Sequence, residues 1–111
     1  MTQARNIGAM RYEIDLHMPV RTSDGGGGWS ETRPRLASVS ASIEVASSRE
    51  VYQASQLQMF ITHVVVIRYR NDIKQGGTIK LGSQEFYIER ALDKENRGRW
   101  LTLWVREGGA T

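Results

Sequence analysis

Few residues in this chain can do chemistry, and their spacing limits what they can do. There are two histidines, His17 and His63, and no cysteine. Thiolate catalysis, disulfides and cysteine-based zinc sites are therefore excluded. A histidine metal site needs partner ligands at set spacings, and neither histidine has them. His63 falls at an inward position of an apolar strand and reads as a core or partner-facing residue, while His17 falls on a wet face. The stretch DGGGGW, residues 24–29, is rich in glycine. It lacks the Lys-Ser/Thr and the following helix of a phosphate loop, so it reads as a flexible connection. No GxSxG or HExxH motif occurs, and no pair of carboxylates is marked out for acid–base work. No catalytic residue, metal or cofactor is expected, and so no enzyme.

What remains is VVVIRYRNDIKQGG, residues 64–77, in which Arg68 and Arg70 follow the most hydrophobic run. Nucleic acid, a protein partner or a merely solvated sheet face would each account for them. Two arginines on one face can meet an acidic group such as Glu89 on a neighbouring strand. Tyr69 should point the opposite way, which does not suit a base-stacking platform, where aromatics and cations share a surface. Loose contact with a phosphate backbone, for instance through Arg49 on a flexible loop, requires no base readout.

Several broad classes fall away on size and composition. With 111 residues the chain is one domain, residues 1–111, able to bury a core of its own but helped by oligomerisation. Fifteen Lys+Arg stand against twelve Asp+Glu, a net charge of +3 that is modest for a dedicated DNA binder. The opening MTQARNIGAM shows no apolar stretch of the signal-peptide kind. Val64 to Ile67 is far too short to cross a bilayer, so no membrane partner is expected.

The elements that position these residues show a period of two. Met10, Tyr12, Ile14, Leu16, Met18 and Val20 alternate with polar residues, the pattern of a half-buried strand. Residues 21–34 read as a long mobile connection. From Leu36 the alternation resumes through Ala37, Val39, Ala41, Ile43 and Val45, small residues that invite bulky cover. Residues 46–58 break the alternation. They read as a surface loop with one or two helical turns, opened by the Ser47-x-x-Glu50 capping box. Met59 to Arg70 reads as a long strand apolar on both faces at its middle, as in a closed or sandwiched sheet. Two further short strands lead to the last, where Trp100, Thr102 and Trp104 face one way and Leu101, Leu103 and Val105 the other. The expected fold is mainly β, a small barrel or sandwich of about six antiparallel strands with long loops and at most one short helix. Residues 1–8 and 107–111 are expected to be flexible.

The order of these features resembles the head–tail joining, or head-closure (stopper), proteins of tailed bacteriophages and gene-transfer particles. The resemblance rests on NIGAMRYEIDLHMP, DGGGGW, ASVSASIEVASSRE and HVVVIRYRNDIKQGGTIKLGSQEFYIERALDKENRGRWLTL in sequence, about residues 6–107. One departure is Ser38-Val39-Ser40-Ala41, where the family often has Val-Trp-Ala. The resemblance implies a β-barrel that assembles into a ring of six or twelve copies in the virion neck. Portal and adaptor proteins would lie above it and tail proteins below. The ring would retain packaged double-stranded DNA, with non-specific contact to it, and dock the tail. The protein would be made in the bacterial host cytoplasm. On this reading the gating loop is 46–58, with Arg49, Glu50, Gln53 and Gln56 projecting, and Trp29, Arg68 and Arg70 belong to subunit or partner interfaces. The alternatives are another β-rich neck or tail component, such as a tail terminator, and an OB-like single-stranded nucleic-acid binder.

Overall fold

Alternating strands with one apolar face must cover that face, and here they do so by closing on themselves. The computed structural model describes residues 12–94 and 96–108. In chain order the elements are β1 (Tyr12–His17), β2 (Val20–Ser23), β3 (Trp29–Thr32), β4 (Arg35–Val45), α1 (Ser48–Gln56), β5 (His63–Arg68), β6 (Thr78–Leu81), β7 (Gln84–Leu92) and β8 (Trp100–Glu107). Six strands form a closed antiparallel barrel in the order β1-β4-β5-β8-β7-β6, and β2 and β3 pair separately as a two-stranded sheet. The expected mainly β fold with a single short helix is what forms.

The inward residues fill the barrel. Ile14, Leu16, Ala41, Val65, Ile67, Ile79, Phe86, Ile88, Leu101, Leu103 and Val105 make one buried cluster. The small residues of β4 find their bulky cover there, since Val39 and Ile43 pack against the cluster that holds Phe86. A second, smaller cluster lies outside the wall. Ala54, Ile61, Val64 and Trp104 meet there, with Ala46, Met59 and Leu92 against them. Both faces of β5 are thus buried, as its composition indicates.

The sequence pattern misleads at several points. β5 begins at His63, not Met59. Residues 57–62 instead return from the helix: the Met59 amide donates to the Ala54 carbonyl at 2.9 Å, and Gln58 takes φ of 63°. Ile61 therefore serves the outer cluster. Residues 21–34, expected to be a mobile connection, contain most of the β2–β3 hairpin, with every residue of both strands exposed. Tyr12 and Val20 are exposed as well, although they share the alternation of β1. Glu107 ends β8 rather than starting a frayed tail, and the Gly108 amide donates to Glu85 O at 2.9 Å. Met10 and residues 1–8 lie outside the described residues.

Closure depends on three residue pairs between β1 and β6: Asp15 with Lys80, Leu16 with Ile79 and His17 with Thr78. Gly77 precedes this seam. A Cβ there would sit 2.3 Å from Met18 Cε, 2.7 Å from Met18 Sδ and 3.0 Å from the His17 carbonyl oxygen. Met18 is itself buried, so it has little room to move aside. Gly77→Ala should therefore destabilise the fold by about 1–3 kcal/mol, the scale of an overpacked core. Trp29→Ala on the exposed hairpin should change it by no more than about 0.5 kcal/mol. Urea unfolding of the two variants checks both values, and equal midpoints would refute the seam's sensitivity.

Candidate functional site

The residues singled out in the sequence fall into two groups at opposite ends of β5. The α1 connection joins the end of β4 to the start of β5, whereas Arg68 closes β5 at its far end. The hairpin, residues 69–77 and the turn between β7 and β8 lie at that far end too, because the barrel is antiparallel throughout.

α1 starts where its capping box dictates. The Glu50 amide donates to Ser47 Oγ at 3.2 Å, and the Ser47 amide donates to Glu50 Oε1 at 2.9 Å. Two orphan amides of the first turn are satisfied reciprocally. Glu50 is thus a half-buried capping residue and does not project as expected. Arg49, Gln53 and Gln56 do project, lying i, i+4 and i+7 on the exposed face. Tyr52 shares that face at 65% exposure, a residue the polar reading of this segment passes over. Ala54 is the residue that α1 buries, against the outer cluster. Trp104 Nε1 is buried in that cluster with no partner among the described residues. Val45, Leu57 and Phe60 flank the helix and are exposed, Val45 to 76% and Phe60 to 62%. This end of the molecule is apolar, with a shallow helix seat.

The hairpin turn is built by Asp24. Its Oδ1 accepts from the Gly26 and Gly28 amides at 2.8 and 3.0 Å, while Gly25 and Gly27 take φ of 83° and 88°. Such angles favour glycine, which accounts for the run. Trp29 is 63% exposed, with the Arg21 guanidinium 5.3 Å from its ring centre.

Arg68 and Arg70 do not meet Glu89. A bulge between Ile88 and Arg90 shifts the register of β7, and Glu89 pairs with Arg106 at 3.5 Å. Arg68 instead lies over the Trp100 ring, 4.9 Å from its centre. Arg70 lies beyond the strand and forks onto Asp72, with Nε and Nη2 donating at 3.0 and 2.8 Å. That hydrogen-bonded pairing pulls the Asp72 carboxyl below its ordinary range against a smaller effect of burial, and raises Arg70. Asp15 is lowered likewise, mainly by the Ser38 hydroxyl and then by Arg35. The two histidines serve structure. His17 Nδ1 donates to the Arg33 carbonyl at 3.0 Å, and His63 stands edge-on to Phe86. Among the described residues no group of three or more His, Asp and Glu side chains could hold a metal. None of their helices is long and apolar enough to cross a membrane. The molecule has two chemically distinct ends.

Ala54→Glu should unseat α1 and expose Trp104 while the barrel persists. A red-shifted tryptophan emission with an unchanged β signal in circular dichroism is the expected result; unchanged emission would refute the single-residue seat. The Arg70–Asp72 pair carries a pH dependence. A carboxyl depressed in the folded state contributes stability above its unfolded pKa, and that stability is lost as pH falls through the folded value. With side chains 32% and 40% exposed, the contribution is below about 1 kcal/mol. Asp72→Asn should lower stability at neutral pH by that much and flatten its decline below about pH 4, as read by thermal melts across pH.

The chain matches the family model described as phage head completion protein over residues 5–108. No curated protein matches it. Among solved structures it is similar to protein SF1141 from Shigella flexneri 2a, at 27% identity and a TM-score of 0.76, over 96% of this chain and 100% of that one. It also resembles a chain in the virion of a native gene transfer agent particle, at 17% identity and a TM-score of 0.59, over 90% and 96% of the two chains. That second likeness is one of fold. With almost its whole length matched by one family, the chain belongs to the phage head completion proteins, structural components of the virion.

Proposed function

We propose that the protein is a head-closure, or stopper, component of the virion neck. In this role it forms a ring beneath the portal and adaptor, retains the packaged DNA and presents the surface on which the tail docks. The observation that carries this reading is the family match over residues 5–108, on a closed barrel that leaves α1 and the β2–β3 hairpin projecting from it. A closed barrel has no free sheet edge in its wall, so it can pack beside copies of itself without strand exchange. The projecting elements are then free to meet other components. In a ring each projecting residue becomes a circle of identical groups, and weak contacts add through multivalency.

α1 is the gating element in this reading, with Arg49, Gln53 and Gln56 turned to the channel and Glu50 holding the helix start. Trp29, exposed at the hairpin, is the anchor for an adaptor or tail protein, a residue type enriched at interface centres. Arg70, with its charge already matched by Asp72, contributes shape there more than charge.

Particles produced without this protein should be tailless heads that lose their DNA, visible by electron microscopy and by nuclease sensitivity of the genome. Full heads carrying tails would end the head-closure reading. Deleting residues 49–55 should leave a folded barrel whose particles leak DNA, and tight particles from that deletion would remove α1 from the gate.

A further inference from the structure

We infer that the far end of β5, together with the turn between β7 and β8, is a phosphate-binding patch that touches the backbone of double-stranded DNA. This rests on the reading that the chain sits in the neck of a DNA-filled head. Arg68 pairs in register with Trp100 at the start of β8. The Tyr69 amide donates to the Arg99 carbonyl at 3.1 Å, which ties the turn to the strand end. Within the turn the Asn96 amide donates to Asp93 O at 3.0 Å and the Gly98 amide to Asp93 Oδ2 at 2.9 Å. Asn96 and Gly98 both take left-handed backbone angles, φ 56° and 67°. The Asp93 carboxylate is thus engaged in holding the turn.

Four cations stand at this end: Arg68, Lys94, Arg97 and Arg99. All four are exposed. Among the described residues no carboxylate reaches ion-pair distance of any of them, whereas Arg33, Arg35, Arg70, Lys80 and Arg106 each have one. Exposed cations with no described carboxylate partner, on one turn and the strand end beside it, are the footprint of a polyanion site.

Two observations favour duplex phosphate over other anions. The face of Trp100 is already covered by Arg68, so it offers no platform for an unpaired base, which single-strand binding would need. An acidic protein surface would be expected to bring apolar contact as well, because interface cores are rich in aromatics and poor in charge. On the segments that carry the four cations Tyr69 is the exposed large apolar residue, whereas Trp29 and Val20 belong to the hairpin and Val45, Tyr52, Leu57 and Phe60 to the surroundings of α1. Segments so rich in cations and poor in exposed apolar surface suit phosphate. Contact through a few exposed cations is weak and screened by salt, as a gate that must release its genome requires.

The test is titration of a labelled duplex with the purified full-length chain over a series of salt concentrations. Binding should weaken with salt, with a log–log slope near −0.9 for each phosphate engaged. The triple variant Arg68→Gln, Arg97→Gln, Arg99→Gln should bind at least tenfold more weakly at low salt, with a shallower slope. Lys94→Gln with Arg97→Gln is confined to the turn and spares the Trp100 stack; it should lose about half of that slope change, which guards against a folding defect. Lys80→Gln, at a cation already paired with Glu85, should leave the slope unchanged. No binding by the unaltered chain at low salt would overturn the inference. So would an equal loss from Lys80→Gln, or tighter binding of single strands than of duplex. Particles that assemble poorly but bind duplex normally when Arg68 is charge-reversed would assign the patch to a protein neighbour and also overturn it. Failure here with DNA-leaking particles in the absence of the protein would end the phosphate patch alone. Full, tailed particles made without the protein would end the head-closure reading regardless of the titration.

Discussion

The short seam between β1 and β6 is the constraint on which the rest of the structure depends. Without it the six strands would be an open sheet, with two edges presenting unpaired amides and carbonyls and a full apolar face open to water. The seam spans three residue pairs, and β6 has four residues in all. Its closeness is set on one side by Gly77, where the backbone passes against Met18 and the His17 carbonyl with no room for a side chain. The same residue continues the ladder on the other side, since the Ile88 amide donates to Gly77 O at 2.9 Å. One glycine therefore lets three strands meet, and Ile14, Leu16, Ile79, Phe86 and Ile88 are buried as a consequence.

Closure also fixes what each end of the barrel carries. Once strand order is set, antiparallel pairing gathers the α1 connection at one end of β5 and the hairpin with the other two loops at the other. The first end gathers Val45, Tyr52, Leu57 and Phe60. The second gathers Arg68, Lys94, Arg97 and Arg99, with Trp29 exposed on the hairpin. This segregation does not arise from any one element. Arg68 and Arg99 are far apart in the sequence and are neighbours because β5 and β8 pair in the register Arg68 to Trp100.

How much of this was legible in the sequence follows from what alternation reports. A period of two marks a strand with one dry face, so β1 and β4 are readable from their residues, whereas β8 is buried on both faces and reads as an apolar run. The hairpin is not, because VRTS and WSET are wet on both faces and carry no such signal. The apolar run overstates the length of β5 because Met59 and Ile61 are apolar for another reason: they pack under the helix return, outside the barrel. The capping box placed the start of α1, since its chemistry is local. It did not show that Glu50 would be consumed by that cap and so withdrawn from the exposed stripe of Arg49, Gln53 and Gln56. The expected partner of Arg68 and Arg70 failed for a non-local reason. A bulge in β7 re-aims Glu89 toward Arg106, and the register of a bulged pair cannot be counted from sequence.

The two ends are held by different contacts. The cationic turn is pinned by Asp93, by the Tyr69 to Arg99 hydrogen bond and by the Arg68–Trp100 stack. Lys94, Arg97 and Arg99 extend from a backbone that these contacts tie to the end of β5. α1 is different. It rests on Ala54 over a small outer cluster in which Trp104 keeps an unmatched indole N–H. The helix is the element whose displacement disturbs least of the main core, because none of its residues enters the barrel. A barrel closed at β1–β6 thus supplies a fixed frame, and the element best able to move is attached outside it.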